Sequence, residues 1–167
     1  MLVVIDMQKD FVTGSLGTKE AVSIVESVVR KVQDHSGLLA YTLDTHDENY
    51  LQSREGMLLP VVHCIKGESG HELVDELKQP LQGALVFEKP TFASVALASW
   101  IASQQDLEEV ELVGVCTDIC VVSNALMIKA MRPELVIRVD AACCAGSTVR
   151  RHEAALETLR SCQIEVF

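Results

Sequence analysis

The chain has 167 residues, 49% of them hydrophobic and 23% charged, a composition that excludes a disordered protein and suits a single domain over residues 1–167. Its formal net charge is −10, from 14 Lys and Arg against 24 Asp and Glu, which argues against a nucleic-acid partner because no cationic cluster is present to neutralise phosphates. Residues 1–6 lack a basic leader and no apolar run reaches membrane length, so we expect a cytoplasmic protein with no membrane partner and with its six cysteines reduced.

Short apolar runs alternate along the chain with segments whose apolar residues recur at helical spacing. In chain order we predict a strand at 2–5, a helix at 21–32, a strand at 38–43, a helix at 72–77, a strand at 84–87, a helix at 95–101, a strand at 110–115, a helix from about 117 to 131, a strand at 135–139, a helix at 149–160 and a strand at 164–167. Residues 44–70 show no regular period, and so long an irregular segment is more often functional than not. The alternation predicts an α/β three-layer sandwich with a mostly parallel six-stranded sheet and helices on both faces.

A candidate nucleophile lies where the strand at 110–115 passes into the next helix. Thr117 or Asp118 is expected to cap this helix, which places Cys120 in its first turn. There the free N–H groups and the positive end of the helix dipole favour a thiolate, which can attack a carbonyl carbon while the same N–H groups hold the oxyanion. The alternative is that Cys120 is a small buried hydrophobe, as most free cysteines are.

Charged residues follow the other predicted strands, at the edge where the sites of parallel sheets lie. Asp6 comes after the first strand and is a candidate base for Cys120, although an Asp in this place also commonly caps a turn. Lys89 comes after the third strand and is expected to lower the pKa of Asp6 and of Cys120, unless it is a surface lysine. Asp140, after the fifth strand, belongs to the same predicted edge.

The irregular segment contains candidate metal ligands. Asp44 and His46 lie two residues apart at a strand end, a spacing that points both side chains to one side. Together with Glu55 and His63 they form a set of two carboxylates and two imidazoles that suits Zn, with Mn or Fe as alternatives. Gln52 competes with Glu55 for its place, and we prefer the carboxylate as the stronger ligand. The alternative is a group of surface histidines and ordinary loop acids.

The other histidines and the one dense basic pair receive structural interpretations. We expect His35 and His152 on helix surfaces and His71 at the start of a helix. Arg150 and Arg151 are expected on a solvated helix face. Neither group is therefore assigned to the site.

Four motifs resemble those of the isochorismatase-like cysteine hydrolases: Asp6-Met-Gln-Lys-Asp-Phe11, Asp44-Thr-His46, Glu88-Lys89-Pro90 and Gly114-Val-Cys-Thr-Asp-Ile-Cys-Val121. The resemblance extends from residue 2 to residue 147, and within that superfamily the chain is most similar to the nicotinamidase-related branch. It implies the isochorismatase-like hydrolase fold and a homo-oligomer, either a dimer or a tetramer.

The resemblance also implies roles for individual residues. By position, Cys120 corresponds to the family nucleophile, Asp6 to the base and Lys89 to the third member of the triad. The bond between Val115 and Cys116 corresponds to one that the family holds cis, which would direct the N–H groups of Cys116 and Cys120 into one oxyanion hole.

For the metal site, the resemblance implies Asp44, His46 and His63 as ligands, with Glu55 as the further, acidic one. Phe11 corresponds to an aromatic residue that stacks on the substrate ring. The stretch at 59–62 lacks the Trp that nicotinamidases commonly carry, and the loop after Lys89 lacks their Tyr, so Phe92 is assigned as a substitute pocket wall.

The sequence therefore predicts a cysteine-dependent amidohydrolase that cleaves a small, nicotinamide-like aromatic amide to an acid and ammonia through a thioester. The expected cofactor is a divalent metal, Zn before Mn or Fe. Two alternatives stay open. One is a metal-free relative that hydrolyses a carbamoyl or vinyl-ether substrate, and the other is a catalytically silent binding member of the fold.

Overall fold

Six parallel strands form one sheet. The computed structural model describes residues 1–167, and its strands are β1 (Leu2–Ile5), β2 (Leu39–Asp44), β3 (Leu85–Lys89), β4 (Glu109–Val115), β5 (Val136–Ala145) and β6 (Glu165–Val166). The strands lie in the order β3-β2-β1-β4-β5-β6, so the direction of the crossover connections reverses between β1 and β4. In such sheets the ligand crevice lies beyond the carboxyl ends of the strands at the reversal.

Seven helices connect and cover the strands. They are α1 (Lys9–Val12), α2 (Lys19–Asp34), α3 (Arg54–Leu58), α4 (Asp75–Lys78), α5 (Val95–Ser103), α6 (Val122–Met131) and α7 (Val149–Ser161). Short 3₁₀ turns at Tyr50–Gln52 and Ser69–His71 lie in the segment that the sequence leaves irregular, and a π-helical turn at Thr117–Val121 precedes α6. No helix combines the length and the apolar character that crossing a membrane requires.

The core has two halves, one on each face of the sheet. Val3 and Ile5 of β1 pack with apolar residues of α5, α6 and α7, whereas Leu2 and Val4 pack with apolar residues of α1, α2 and α4. All four β1 side chains are fully buried, and burial of each contributes roughly 1.5–3 kcal/mol. The continuous apolar run of β1 is explained by helices on both sides, and the predicted α/β sandwich is confirmed.

The fifth strand differs from its prediction. The sequence predicts its end at 139, with Asp140 at the carboxyl edge, but β5 continues to Ala145. Asp140 therefore lies inside the strand, and its carboxylate forms an ion pair with Lys31 of α2, which also pairs with Glu111. The assignment of Asp140 to the edge that bears the site is therefore wrong.

Other elements also differ from the sequence prediction. The helix predicted at 72–77 is the single turn of α4, and α1 was not predicted at all. β3 extends to Lys89, which is the last residue of the strand and pairs in register with Asp44 at the end of β2. This register places the Lys89 and Asp44 backbones side by side at the crevice.

Candidate active site

The candidate site lies at the carboxyl ends of the four strands around the reversal. Asp6 follows β1, Asp44 ends β2, Lys89 ends β3, and Cys120 lies in the π-helical turn after β4. Because the strands are parallel and adjacent, residues separated by up to 114 positions in the sequence meet at one edge of the sheet.

Three of these side chains form one buried cluster. Lys89 Nζ lies 2.6 Å from Asp6 Oδ2 and 3.4 Å from Cys120 Sγ. Asp6 is 0%, Lys89 1% and Cys120 4% exposed, so the ion pair and the thiol are shielded from bulk water. The structure thus brings together the three residues that the sequence assigns to the triad.

Asp6 is oriented by the neighbouring strand. Its backbone has a φ of +46°, a left-handed conformation that Asp tolerates better than most residues. The Thr42 hydroxyl donates to Asp6 Oδ1 at 2.6 Å and accepts from the Asp6 N–H at 3.2 Å. Oδ1 is therefore engaged, which leaves Oδ2, beside Lys89, as the oxygen that can accept a further proton.

The charges of the cluster follow from burial and from this ion pair. Burial raises the pKa of Asp6, and the charge of Lys89 offsets part of that effect. Burial lowers the pKa of Lys89, but the negative charges of Asp6 and Asp44 outweigh this effect, so the pKa lies well above its usual value. We infer a stable ion pair between a carboxylate and an ammonium group.

Cys120 is protonated in this resting state. Burial raises the pKa of its thiol well above the usual value, and the Asp6 carboxylate adds to the effect while Lys89 opposes it. Burial and the adjacent carboxylate therefore favour the neutral thiol in the resting site, whereas the helix dipole alone predicts a thiolate. The nucleophile must lose its proton during the reaction.

The predicted helix caps are also wrong. Thr117 Oγ1 is hydrogen-bonded to His152 Nδ1 at 2.8 Å, and the Asp118 carboxylate accepts from Ser147 N at 2.7 Å and Ser147 Oγ at 2.6 Å. Both side chains are thus directed to the segment that begins α7 and away from the N–H groups of their own turn. His152 is consequently half-buried and is not the surface residue that the sequence predicts.

The turn that carries Cys120 has another anchor, which sequence reasoning missed. The buried Asn124 donates through Nδ2 to Cys120 O at 2.8 Å and to Phe92 O at 3.1 Å, and its Oδ1 accepts from Ser94 N at 2.9 Å. Asn124 lies four residues after Cys120, on the same side of the helix, and that spacing was the signal in the sequence. It joins the turn to the loop after β3.

The peptide bond between Val115 and Cys116 is cis in the structure, as the resemblance implies. Cys116 and Cys120 both line one cavity. Burial raises the pKa of the Cys116 thiol to about 12, so this second sulfur is neutral near pH 7.

Next to the triad, the structure gathers the four predicted metal ligands. Asp44, His46, Glu55 and His63 each offer a ligand atom, and these atoms lie within 4.8 Å of one another. Asp44 Oδ2 is 3.0 Å from His46 Nε2 and 3.5 Å from His63 Nε2. Ligand atoms around a tetrahedral zinc ion are separated by about 3.3 Å, so these residues fit such an ion after small side-chain adjustments.

Two observations indicate which atoms and residues of the proposed ligand set can bind a metal. His63 Nδ1 donates to Val61 O at 2.8 Å, which leaves Nε2 free to bind a metal. Gln52 is exposed and lies 3.5 Å from Asn49 Oδ1, whereas Glu55 lies within the cluster, so the geometry favours Glu55 over Gln52.

The pKa values of the two carboxylates of the set are shifted in opposite directions. Burial alone would raise the pKa of Asp44, but hydrogen bonds from His46 and His63 and the charge of Lys89 hold it below its usual value. Burial and the charge of Asp44 raise the pKa of Glu55. Two carboxylates held this close repel each other, and a divalent cation would relieve the repulsion.

Gln8 is a further site residue that the sequence analysis missed. Its fully buried amide accepts from Asp44 N at 2.7 Å and donates to Asp44 O at 2.9 Å and to His71 O at 2.9 Å. A polar residue two positions after Asp6, at the end of an apolar strand, was the available signal. His71 ends a 3₁₀ turn and does not start a helix as predicted.

Cys120 and three of the four predicted metal ligands, Asp44, Glu55 and His63, line one cavity of about 250 Å³. Its aromatic walls are Phe11 and Phe92, the two residues predicted to contact substrate. The wall also contains residues that were not predicted there: Leu16, Thr18, Leu59, Ile119, Ser147 and Arg151. A larger surface groove, of about 490 Å³, lies between α1 and α2 and contains none of the candidate catalytic residues.

The protein-family model described as the isochorismatase domain matches residues 1–167. The nicotinamidase/pyrazinamidase PncA of Bacillus subtilis superposes with a TM-score of 0.85 at 26% identity, covering 99% of this chain and 97% of that one. The pyrazinamidase of Pyrococcus horikoshii, crystallised in complex with zinc, has a TM-score of 0.81 at 27% identity, with 99% and 97% covered. The N-carbamoylsarcosine amidase of Thermoplasma acidophilum has a TM-score of 0.79 at 27% identity, with 99% and 93% covered.

Proposed function

The chain belongs to the isochorismatase family of hydrolases, and on this premise we propose that it is a cysteine-dependent amidohydrolase that releases ammonia from a small aromatic amide. The observation that carries the proposal is the contact of one buried lysine, Lys89, with both Asp6 and Cys120, of which Cys120 lines a small cavity. Such a cluster supplies a nucleophile, a proton acceptor and a fixed positive charge.

In the first step, the Cys120 sulfur attacks the amide carbon while its proton passes to Asp6 Oδ2. The transfer is required because the resting thiol is neutral, and Oδ2 is the acceptor because the Thr42 hydroxyl occupies the other oxygen of Asp6. Lys89 keeps its proton and compensates the negative charge that moves onto the substrate oxygen. The N–H groups of Cys116 and Cys120 are proposed to hold that oxyanion.

In the second step, Asp6 returns the proton to the leaving nitrogen, the C–N bond breaks and ammonia departs from a thioester. Asp6 is then again a carboxylate, so it can accept a proton from a water molecule that attacks the thioester carbon. The acid is released when the C–S bond breaks and the Cys120 sulfur recovers a proton. The two half-reactions together consume one water and yield one acid and one ammonia.

Asp44, His46, Glu55 and His63 would hold a divalent metal, for which we propose Zn, with Mn or Fe as alternatives. The zinc complex of the Pyrococcus horikoshii pyrazinamidase supports this assignment. A bound metal would supply a Lewis-acidic position for a ring nitrogen of the substrate or for a water molecule. The cavity volume of about 250 Å³ suits a ligand smaller than a typical drug.

A second candidate function is hydrolysis of an N-carbamoyl compound. The observation in its favour is the similarity to an N-carbamoylsarcosine amidase, which matches this chain as well in identity as the zinc-containing pyrazinamidase does. The same triad could cleave such a substrate without any ring nitrogen to bind. If the protein is purified without metal and is nevertheless active on carbamoyl substrates, that result would favour N-carbamoyl hydrolysis as the function.

The test is ammonia release from a panel of aromatic amides and N-carbamoyl compounds, with metal analysis of the same sample. We expect Cys120→Ala to lower kcat by at least about a thousandfold, as loss of a catalytic nucleophile does. Cys116→Ala is the matched control, because it removes a thiol from the same cavity and keeps the backbone N–H. A Cys120→Ala enzyme as active as Cys116→Ala would overturn the proposed mechanism.

A further inference from the structure

We propose that Arg151 binds a carboxylate group of the substrate, so that the preferred amides of this enzyme are anionic. The inference rests on the proposed amidohydrolase function and specifies its substrate class. Arg151 is the one Lys or Arg residue among those that line the cavity. The adjacent Arg150 is also exposed, but it does not line the cavity.

Arg151 lies where the cavity opens to the protein surface. Together with Ile119 it lines both the cavity that contains Cys120 and a neighbouring open depression formed by α6 and α7. Arg151 belongs to the first turn of α7, a helix of 13 residues. A ligand that reaches Cys120 through this opening therefore passes the guanidinium group.

The Arg151 side chain is positioned relative to the nucleophile by two consecutive hydrogen bonds. Arg151 Nη1 donates to Ser147 Oγ at 3.2 Å, and Ser147 Oγ donates to Asp118 Oδ2 at 2.6 Å. Asp118 lies in the same π-helical turn as Cys120. The π-helical turn that carries Cys120 therefore also carries Asp118, which binds Ser147 and through it the Arg151 guanidinium. These contacts fix the position of the guanidinium relative to the Cys120 sulfur.

The guanidinium retains the donors that a carboxylate needs. The arginine ion pairs of the chain involve Arg30, Arg138 and Arg160, and Arg151 is in none of them. One of its five N–H groups is engaged with Ser147, so a bidentate pair of donors remains available. In a protein with a net charge of −10, an arginine without an acidic partner beside the cavity is suited to an anionic ligand.

The charges elsewhere in the cavity are consistent with one bound anion near Arg151. Asp44 and Glu55 are the acidic residues of the wall, and a divalent metal would cancel their two negative charges. Lys89 is already paired with Asp6. Arg151 is therefore the positive charge of the wall that has no direct ion-pair partner, since the Asp118 carboxylate is joined to it only through Ser147, and a neutral amide gains little from this charge.

The experiment compares anionic and neutral amides of the same size. We would measure kcat/KM for 3- and 4-carbamoylbenzoate and for the corresponding hydroxymethylbenzamides, with the wild type, Arg151→Met, Arg151→Lys and Arg150→Met. We expect the wild type to prefer at least one carbamoylbenzoate by tenfold or more, mainly through KM. Arg151→Met should lower this preference at least tenfold, and Arg151→Lys should restore part of it. Arg150→Met should keep the wild-type preference.

Two results would overturn the inference while the proposed function stands: Cys120-dependent hydrolysis with no preference for an anionic amide, or a preference that Arg151→Met leaves unchanged. If the wild type releases no ammonia from any amide, the proposed function fails instead. Calorimetric titration of Cys120→Ala with 3- and 4-carbamoylbenzoate then tests the Arg151 site alone. Affinity that is equal with and without Arg151→Met would overturn it.

Discussion

Lys89 and Asp44 are in direct contact, with Lys89 Nζ 3.1 Å from Asp44 Oδ1. The other oxygen of the same carboxylate, Oδ2, faces the imidazoles of His46 and His63. One carboxylate therefore connects the lysine of the triad with the proposed metal ligands, and a change in either group alters the charge that the other experiences.

The four proposed ligands should contribute unequally to metal binding. Asp44→Ala should remove both the metal and a charge partner of Lys89, so we expect metal content near zero and activity reduced by a hundredfold or more. Glu55→Ala should cause partial metal loss, because its side chain is partly exposed and three ligands remain. Elemental analysis and kcat of the same preparations check both expectations.

Gln52→Ala is the control for the ligand set, since that side chain is exposed and directed toward Asn49. It should retain wild-type metal content. Metal loss in Gln52→Ala that exceeds the loss in Glu55→Ala would show that the wrong residue has been assigned as the further ligand.

Removal of the metal should affect amides according to their ring chemistry. If the metal orients a ring nitrogen, chelation should weaken binding and slow turnover of pyridine and pyrazine carboxamides much more than of benzamide. Steady-state kinetics before chelation, after chelation and after zinc is restored would measure the difference. An equal effect on all three amides would contradict the orienting role.

The activity should fall on the acid side of neutrality. Asp6 must be ionised to accept the thiol proton, and burial raises its pKa above the ordinary aspartate value of 3.8. As the pH falls through this raised pKa, the carboxylate becomes protonated and kcat/KM should decrease with it. A profile of kcat/KM against pH should show an acid limb above pH 4, and a flat profile down to pH 4 would contradict the role of Asp6.

Thr42 offers an independent test of that pH dependence. Its hydroxyl donates to Asp6 and lowers the pKa of this carboxyl, so Thr42→Val should move the acid limb to higher pH. The variant should also lose about 1–3 kcal/mol of unfolding free energy, because a buried carboxylate oxygen loses its donor. Thr45→Val is the control, because Thr45 directly follows β2 but its hydroxyl contacts Leu43 O and His71 and not Asp6, so the acid limb should stay in place.

Lys89 should contribute to the stability of the folded protein as well as to turnover. It is 1% exposed and pairs with two carboxylates, so Lys89→Met would leave Asp6 and Asp44 without their cation. We expect a loss of about 3–5 kcal/mol in unfolding free energy, together with loss of turnover. Chemical denaturation at pH 7 checks the magnitude, and the loss should shrink at low pH, where Asp6 is protonated.

The sequence predicted the architecture because its strands are unambiguous apolar runs, and parallel order places the residues after β1, β2 and β3 at one edge. Asp6, Asp44 and Lys89 were identified in this way. The ligand set and the oxyanion pair needed the family resemblance as well, because a D-x-H spacing alone is weakly specific.

The features that could not be predicted from the sequence depend on contacts between residues that are far apart along the chain. Asp140 looks like an edge residue until Lys31 is seen beside it in the structure. The thiolate at Cys120 was inferred from local helix geometry, whereas burial and the charge of Asp6 decide its protonation. Arg151 is exposed on a helix, as the sequence predicts, but nothing in its local pattern indicates that the first turn of α7 also lines the cavity.

Gln8 makes the hydrogen bonds to Asp44 that a neighbouring strand would make, with its amide bonded to both the N–H and the C=O of that residue. The ends of β1 and β2 are thereby held together beyond the last regular pairing of these strands, which joins Val4 to Tyr41. Local opening at this edge would break buried hydrogen bonds in the middle of the sheet, where the cost approaches that of global unfolding. Loss of activity on heating should therefore coincide with the cooperative melting of the whole sheet.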